Sequence, residues 1–265
     1  MVFSEIEIGT AVLKIYKPDK AKSYPAMLVF PGGGYGNMIH TGEEGEPIAL
    51  AYASKGFVGF VLHYSTGKAA PVNVPLAEAS KAIAYIRKNA DALGVDRERV
   101  YTVGFSAGGH LSGACATLWH RKEIIEKAGI EYGENKPTAS VLCYPVVSGV
   151  DHPHLGSFQN LIGKGAPSKE ELEYHSLEMH VDERSAPVFI THTAEDPLVP
   201  VHNSLALANA YSKAGVQFEM HIYPHGPHGF ALGNDITDEN RDRMWVDEKY
   251  ARWIDDSIYF FEHLK

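Results

Sequence analysis

Residues 99–109 read Arg-Val-Tyr-Thr-Val-Gly-Phe-Ser-Ala-Gly-Gly. A short apolar, β-rich run ends at Gly104-Phe105-Ser106-Ala107-Gly108-Gly109, and the small residues of 107–118 continue with helical character. A strand that turns sharply into a helix at a serine lifts the hydroxyl clear of the sheet, where a substrate can reach it. Gly104 and Gly108 lack a Cβ, so the backbone can turn tightly and the helix can approach the strand. The N–H of Ala107 then lies at a helix N-terminus, placed to stabilise a developing oxyanion. An ordinary turn serine fits the same five residues, so the remainder of the chain has to decide.

That remainder alternates strand and helix. Residues 6–16 suit an N-terminal strand or hairpin, and residues 26–30 form an apolar run ending in Pro31-Gly32-Gly33-Gly34. A helix is expected over 43–55 and a buried strand over 57–64. An amphipathic helix follows over 75–93, with Leu76, Ala79, Ile83, Ile86 and Leu93 on one face. After the Ser106 turn come strands at 140–144, 187–193 and 218–223, with a helix at 203–214. Val246, Tyr250, Trp253, Phe261 and Leu264 mark a last amphipathic helix. Continuous apolar strands separated by helices imply a mostly parallel sheet covered on both faces, with ligands bound beyond the strands' carboxyl ends.

No repeat, low-complexity tract or linker divides the 265 residues, which read as one α/β domain. Residues 151–185 are too long for a routine connection and carry one helical patch at 170–178, so they are expected to form a small cap or lid over the site.

The formal net charge of −9 argues against a sequence-independent phosphate-backbone binder, and with it against nucleic-acid partners. No run is long enough to span a bilayer, and the first residues lack the basic and apolar regions of a leader. Only Cys115 and Cys143 occur, which suits two reduced core thiols. Together these features predict a cytoplasmic protein with no membrane partner; a homo-oligomer is left open. His152 and His154, or His225 and His228, form no coherent ligand set, so neither a metal nor another cofactor is expected.

A serine hydroxyl is a weak nucleophile until a base takes its proton, and the base needs an acceptor that orients it. Thr191-His192-Thr193-Ala194-Glu195-Asp196-Pro197-Leu198-Val199-Pro200 follows one predicted strand. Asp196 is favoured over Glu195 as the acid because the Pro-Leu-Val-Pro turn fixes its backbone. His225-Gly226-Pro227-His228-Gly229-Phe230 follows the last strand. His228, between Pro227 and Gly229 at a tight loop tip, is favoured over His225 as the base. A second oxyanion donor is needed, and Pro31-Gly32-Gly33-Gly34-Tyr35-Gly36 follows an early strand. Gly33 and Gly34 are the expected donors with Ala107. The loop has no Lys-Ser/Thr after it, which weakens a phosphate-binding reading. Tyr35, His40, Phe158 and Phe230 are the expected pocket walls.

These segments, with Gly42-Glu43-Glu44-Gly45-Glu46-Pro47, resemble the α/β-hydrolase superfamily over nearly the whole chain. The order serine, acid, histidine is the one found there. The likeness is to small single-domain esterases grouped with acetyl-xylan and feruloyl esterases, and more distantly to hormone-sensitive-lipase-like enzymes. The latter carry His where this chain has Pro31, and acetyl-xylan-like members with Pro match better. The resemblance implies an α/β-hydrolase fold of about eight strands with helices on both faces and a small cap. It implies a serine carboxylesterase acting on a small-molecule ester, short-chain acyl and often the O-acetyl group of a sugar or small oligosaccharide. Two rivals remain at this point: an amidase, arylformamidase or peptidase on the same triad, and a non-catalytic binding protein on a hydrolase scaffold.

Overall fold

The computed structural model describes residues 1–20, 22–38, 40–238 and 245–265. β1 (Val2–Ile8) and β2 (Ala11–Lys17) form a hairpin, and β2 pairs antiparallel with β4 (Val58–His63). β3 (Tyr24–Phe30), β5 (Val95–Phe105), β6 (Ser140–Cys143), β7 (Val188–Thr193) and β8 (Phe218–Tyr223) complete the sheet with β4, all in parallel pairs. The eight strands lie in the order β1-β2-β4-β3-β5-β6-β7-β8. From β3 the chain winds outward to β4 on one side, then returns to β5 on the other. The strand order therefore reverses between β3 and β5, where such sheets open a crevice at the carboxyl ends of their strands. The glycine loop and Ser106 follow those two strands.

Alternate residues of each strand feed two cores. Leu28 and Phe30 of β3 and Phe60 and Leu62 of β4 face one way. They meet α3 (Val74–Lys88), α5 (Ala107–Thr117) and α9 (His202–Ala214) through Leu76, Ile83, Leu111, Leu207 and Tyr211. Met27, Val29 and Val61 face the other way, against Tyr52 of α2 (Glu46–Ser54) and Trp253 and Phe261 of α10 (Trp253–Glu262).

The helix expected over 43–55 is two helices. α1 (Thr41–Glu44) ends at Gly45, which is not helical (φ −107°, ψ −97°), and α2 begins after it. The 75–93 helix likewise breaks at Asn89 into α3 and α4 (Ala90–Leu93). α6 (Lys122–Ala128) and α7 (Leu155–Ile162) were not legible as helices, and Val246 lies ahead of the last helix rather than in it.

Residues 151–185 contain α7, α8 (Lys169–His175) and a short 3-10 turn, Leu177–Met179. α8 starts on a capping box: Ser168 accepts from the Glu171 N–H while the Glu171 side chain accepts from the Ser168 N–H. Phe158 of α7 is 1% exposed and packs edge-on against His110 of α5. Burial of such a ring contributes about 2 kcal/mol, enough to hold α7 down on the main body.

Candidate active site

β5 enters α5 through Ser106, whose backbone is forced into φ 54°, ψ −115°. For a residue other than glycine this is strained, and the surroundings hold it. The Ser106 N–H donates to the Cys143 carbonyl (3.0 Å), and its carbonyl accepts from His110 and Val146 (3.1 Å each). Close packing demands the two flanking glycines. A Cβ on Gly104 would stand 1.9 Å from the Gly108 carbonyl oxygen, and one on Gly108 would stand 2.1 Å from that of Phe30.

The loop after β8 brings His228 over this turn. Its Nε2 lies 2.9 Å from Ser106 Oγ, and its Nδ1 donates to Asp196 Oδ2 at 2.6 Å. Asp196 stands in the loop after β7. Its Oδ1 accepts the N–H groups of Leu198 and Val199 (2.8 and 2.9 Å), the turn that the Pro-Leu-Val-Pro run builds. Burial opposes ionisation of this carboxyl, but hydrogen bonds from His192, His228 and the Val199 N–H outweigh it and hold the group well below the usual carboxylate range. Glu195 and His225, the weighed alternatives, pair with each other at 3.0 Å on the surface, 62% and 78% exposed. The structure thus brings Ser106, His228 and Asp196 into one line and leaves the other two outside it.

The loop after β3 is tied at almost every residue. Tyr64 Oη donates to the Pro31 carbonyl (2.6 Å), and the Gly32 N–H donates to Glu44 Oε2 (2.7 Å). The Gly33 carbonyl accepts from Gly36 and Asn37, and that of Gly34 accepts from Asn160 of α7 (2.9 Å). Among the described residues no group accepts from the Gly33 or Gly34 N–H. With the Ala107 N–H at the start of α5, these are the donors left over to meet an oxyanion.

A cavity of about 440 Å³ opens on Ser106 and His228. Asn37, His40, Glu43, Glu44, His154, Leu198 and Trp245 are among its lining residues. Of the expected walls, His40 is in place. Tyr35, Phe158 and Phe230 are not: they are 1%, 1% and 0% exposed. Tyr35 turns under the loop to meet His110 Nδ1 (2.9 Å), and Phe230 packs on Tyr144 and Tyr250. These three rings pack into the core, while His40, His154, Leu198 and Trp245 stay at the cavity. His154, at the start of α7, sets residues 151–185 directly against the site.

Sequence reading missed Glu44, Tyr144, His154, Leu198, Trp245 and His192. His192 was visible as a histidine inside an apolar strand, yet only the fold shows its Nε2 donating to Asp196 Oδ2. Among the described residues no cluster of His, Cys, Asp or Glu could hold a metal ion, and no helix is long and apolar enough to cross a membrane.

Residues 13–211 match the BD-FAE family model, and residues 164–263 match the dienelactone hydrolase family model. The chain is 36% identical over 214 residues to endo-1,4-beta-xylanase B of Butyrivibrio fibrisolvens, covering 79% of this chain and 33% of that one. It is 28% identical over 229 residues to an acetylxylan esterase of Xylanibacter ruminicola, covering 85% and 45%. The chain thus spans a third to under half the length of these two relatives. Among solved structures it superposes on an acetyl ester-xyloside bifunctional hydrolase from Caldicellulosiruptor lactoaceticus with TM-score 0.81 at 33% identity, covering 96% of this chain and 89% of that one. On the carboxylesterase Cest-2923 from Lactobacillus plantarum the TM-score is 0.84 at 25% identity, covering 99% and 97%.

Proposed function

Because the chain belongs to the BD-FAE family and has the α/β-hydrolase fold, we propose that it is a serine carboxylesterase for short acyl esters, with O-acetyl groups on a sugar or small oligosaccharide as substrate. The observation that carries the reading is the placement of His228 between Ser106 Oγ at 2.9 Å and Asp196 Oδ2 at 2.6 Å. Support for an acetylated sugar comes from the names of the relatives and from the polar groups at the cavity mouth.

In the proposed reaction His228 Nε2 takes the Ser106 proton as Oγ attacks the ester carbonyl. The N–H groups of Gly33, Gly34 and Ala107 hold the oxyanion, each worth about a hundred- to thousand-fold in rate. His228 then protonates the leaving alcohol, and the same imidazole activates water to release the acid. Asp196, ionised across the working range, fixes the ring and stabilises its cation. Residues 151–185, through His154, serve as a cap that shapes the alcohol side.

Hydrolysis of p-nitrophenyl acetate, butyrate and octanoate tests the reading together with fluorophosphonate labelling. Acetate is expected to be the best substrate, and Ser106→Ala is expected to lose both turnover, by about a millionfold, and label. A Ser106→Ala variant with near-full turnover would overturn the assignment.

A further inference from the structure

The wall of the cavity holds a carboxylate that this mechanism leaves idle. Glu44, the last residue of α1, is 4% exposed. Its two oxygens serve different loops. Oε2 accepts the Gly32 N–H at 2.7 Å, and Oε1 accepts the Tyr144 hydroxyl at 2.8 Å. Tyr144 is itself fully buried after β6, with its ring edge-on to His228 at 4.9 Å between centroids. Its hydroxyl oxygen accepts the Ala231 N–H at 3.1 Å, and the Ala231 carbonyl is held in turn by Trp253 Nε1 at 2.8 Å. One continuous path therefore runs from Gly32, next to the expected oxyanion donors, to Ala231, three residues past His228.

We propose that Glu44 and Tyr144 are a positioning pair that sets the oxyanion loop and the His228 loop at a fixed distance from each other across Ser106. The inference rests on the reading of Ser106, Gly33, Gly34 and His228 given above. The chemistry of the two side chains supports it. A space-filling role calls for an apolar residue, because an isolated buried carboxylate costs several kcal/mol. Burial does push the Glu44 carboxyl up, and the approach of His40 and His228 and the bonds from Gly32 and Tyr144 act against that rise. An ionised carboxylate accepts hydrogen bonds at both oxygens, which is what two converging donors require. Gly32 leaves no room for adjustment. A Cβ there would stand 2.7 Å from Glu44 Oε2 and 3.3 Å from Ser106 Cβ, so this backbone is wedged between the carboxylate and the serine.

Glu44→Leu keeps a side chain of similar reach and accepts from neither loop, whereas a glutamine could still accept the Gly32 N–H and donate to Tyr144 Oη. Tyr144→Phe keeps the ring and removes the shared hydroxyl. Each single variant is expected to lower kcat on p-nitrophenyl acetate about tenfold to a hundredfold, with KM within about threefold, because misplacement acts on the transition state. The double variant is expected to be no slower than the slower single one, since both break the same path. Variants whose melting temperature falls while kcat stays within about twofold of wild type would overturn the proposal, as would losses that multiply in the double variant.

Ser106→Ala, run in parallel, reports on the esterase reading separately. Should that variant stay active, amide exchange in residues 31–36 and 226–233 of Tyr144→Phe decides the matter. Faster exchange in both loops upholds the pair, and unchanged exchange in 31–36 overturns it.

Discussion

The imidazole of His192 donates from Nε2 to Asp196 Oδ2 at 3.1 Å, the same oxygen that receives His228 at 2.6 Å. His192 is fully buried, its Nε2 also reaches the Val199 carbonyl, and its Nδ1 meets Ser204 Oγ. A carbonyl and a carboxylate both accept, so the Nε2 proton is fixed by its partners. The carboxylate is thus clamped from behind by β7 and α9 before His228 arrives.

That clamp separates two variants. Asp196→Asn removes the acceptor that orients His228 and is expected to lower kcat about ten-thousandfold. His192→Phe keeps the acceptor and removes one charge-assisted bond, so the loss is expected to be about tenfold. Steady-state turnover of p-nitrophenyl acetate by both proteins checks the order. Equal losses would show that His192 does more than support the carboxylate.

The turn at Ser106 depends on glycine for steric reasons that can be measured without any substrate. Gly108→Ala sets a Cβ 2.1 Å from the Phe30 carbonyl oxygen, and backbone has to move. The expected destabilisation is about 3 kcal/mol or more. Gly42→Ala, whose Cβ would meet nothing within 4 Å, is the matched control and is expected to stay within about 0.5 kcal/mol of wild type. Urea unfolding of the two variants gives both numbers.

Acid should unfold this protein early, for a reason seated between α5 and residues 151–185. His110 accepts from Tyr35 Oη at Nδ1 and donates from Nε2 to the His175 carbonyl at 2.8 Å, so the ring is held neutral. Burial pushes its pKa down from 6.5 to about 4, against a smaller upward pull from that carbonyl. His175 is pushed down to about 3, by burial first and then by His110 and Arg121. The unfolded chain binds protons that the folded one refuses, so stability rises with pH through this window. It is fully present above 6.5 and is lost as pH falls toward 4, with His110 alone accounting for about 3 kcal/mol. Urea midpoints measured across that range should fall steeply in wild type and less steeply in His110→Gln.

His154 stands at the cavity rim with its Nδ1 on Ser157 Oγ at 2.8 Å. His154→Ala is expected to raise KM for an acetylated disaccharide about fivefold to tenfold, as the loss of one hydrogen bond does. Turnover of p-nitrophenyl acetate is expected to change less than about twofold. A fall in kcat on both substrates would place His154 in the chemistry instead.

Sequence alone reached the residues whose spacing is local. Gly104, Ser106 and Gly108 announce a turn because their roles are backbone roles, and Asp196 was favoured over Glu195 on the strength of the adjoining proline turn. It failed where burial depends on partners distant in the chain. Tyr35 and Phe230 sit beside the expected site in the chain and Phe158 in the segment expected to cover it, yet each packs against an element far off in sequence. Glu44 failed for a different reason. A continuous helix over 43–55 would have treated it as one more surface acid, whereas the break at Gly45 turns it inward. A Cβ at Gly45 would stand 2.6 Å from the Thr41 carbonyl oxygen. Nothing in the helical periodicity marks that conflict, because it arises between two turns of the same short segment.

Asn160 belongs to α7, yet its amide holds the carbonyl of Gly34 at 2.9 Å. Exchanging segments between relatives is a natural way to redirect an enzyme toward new alcohols. On this scaffold the graft would carry away a strut of the loop that faces Ser106. A chimera that omits an amide at position 160 would confound altered selectivity with slower turnover, and its designer should transplant that contact first.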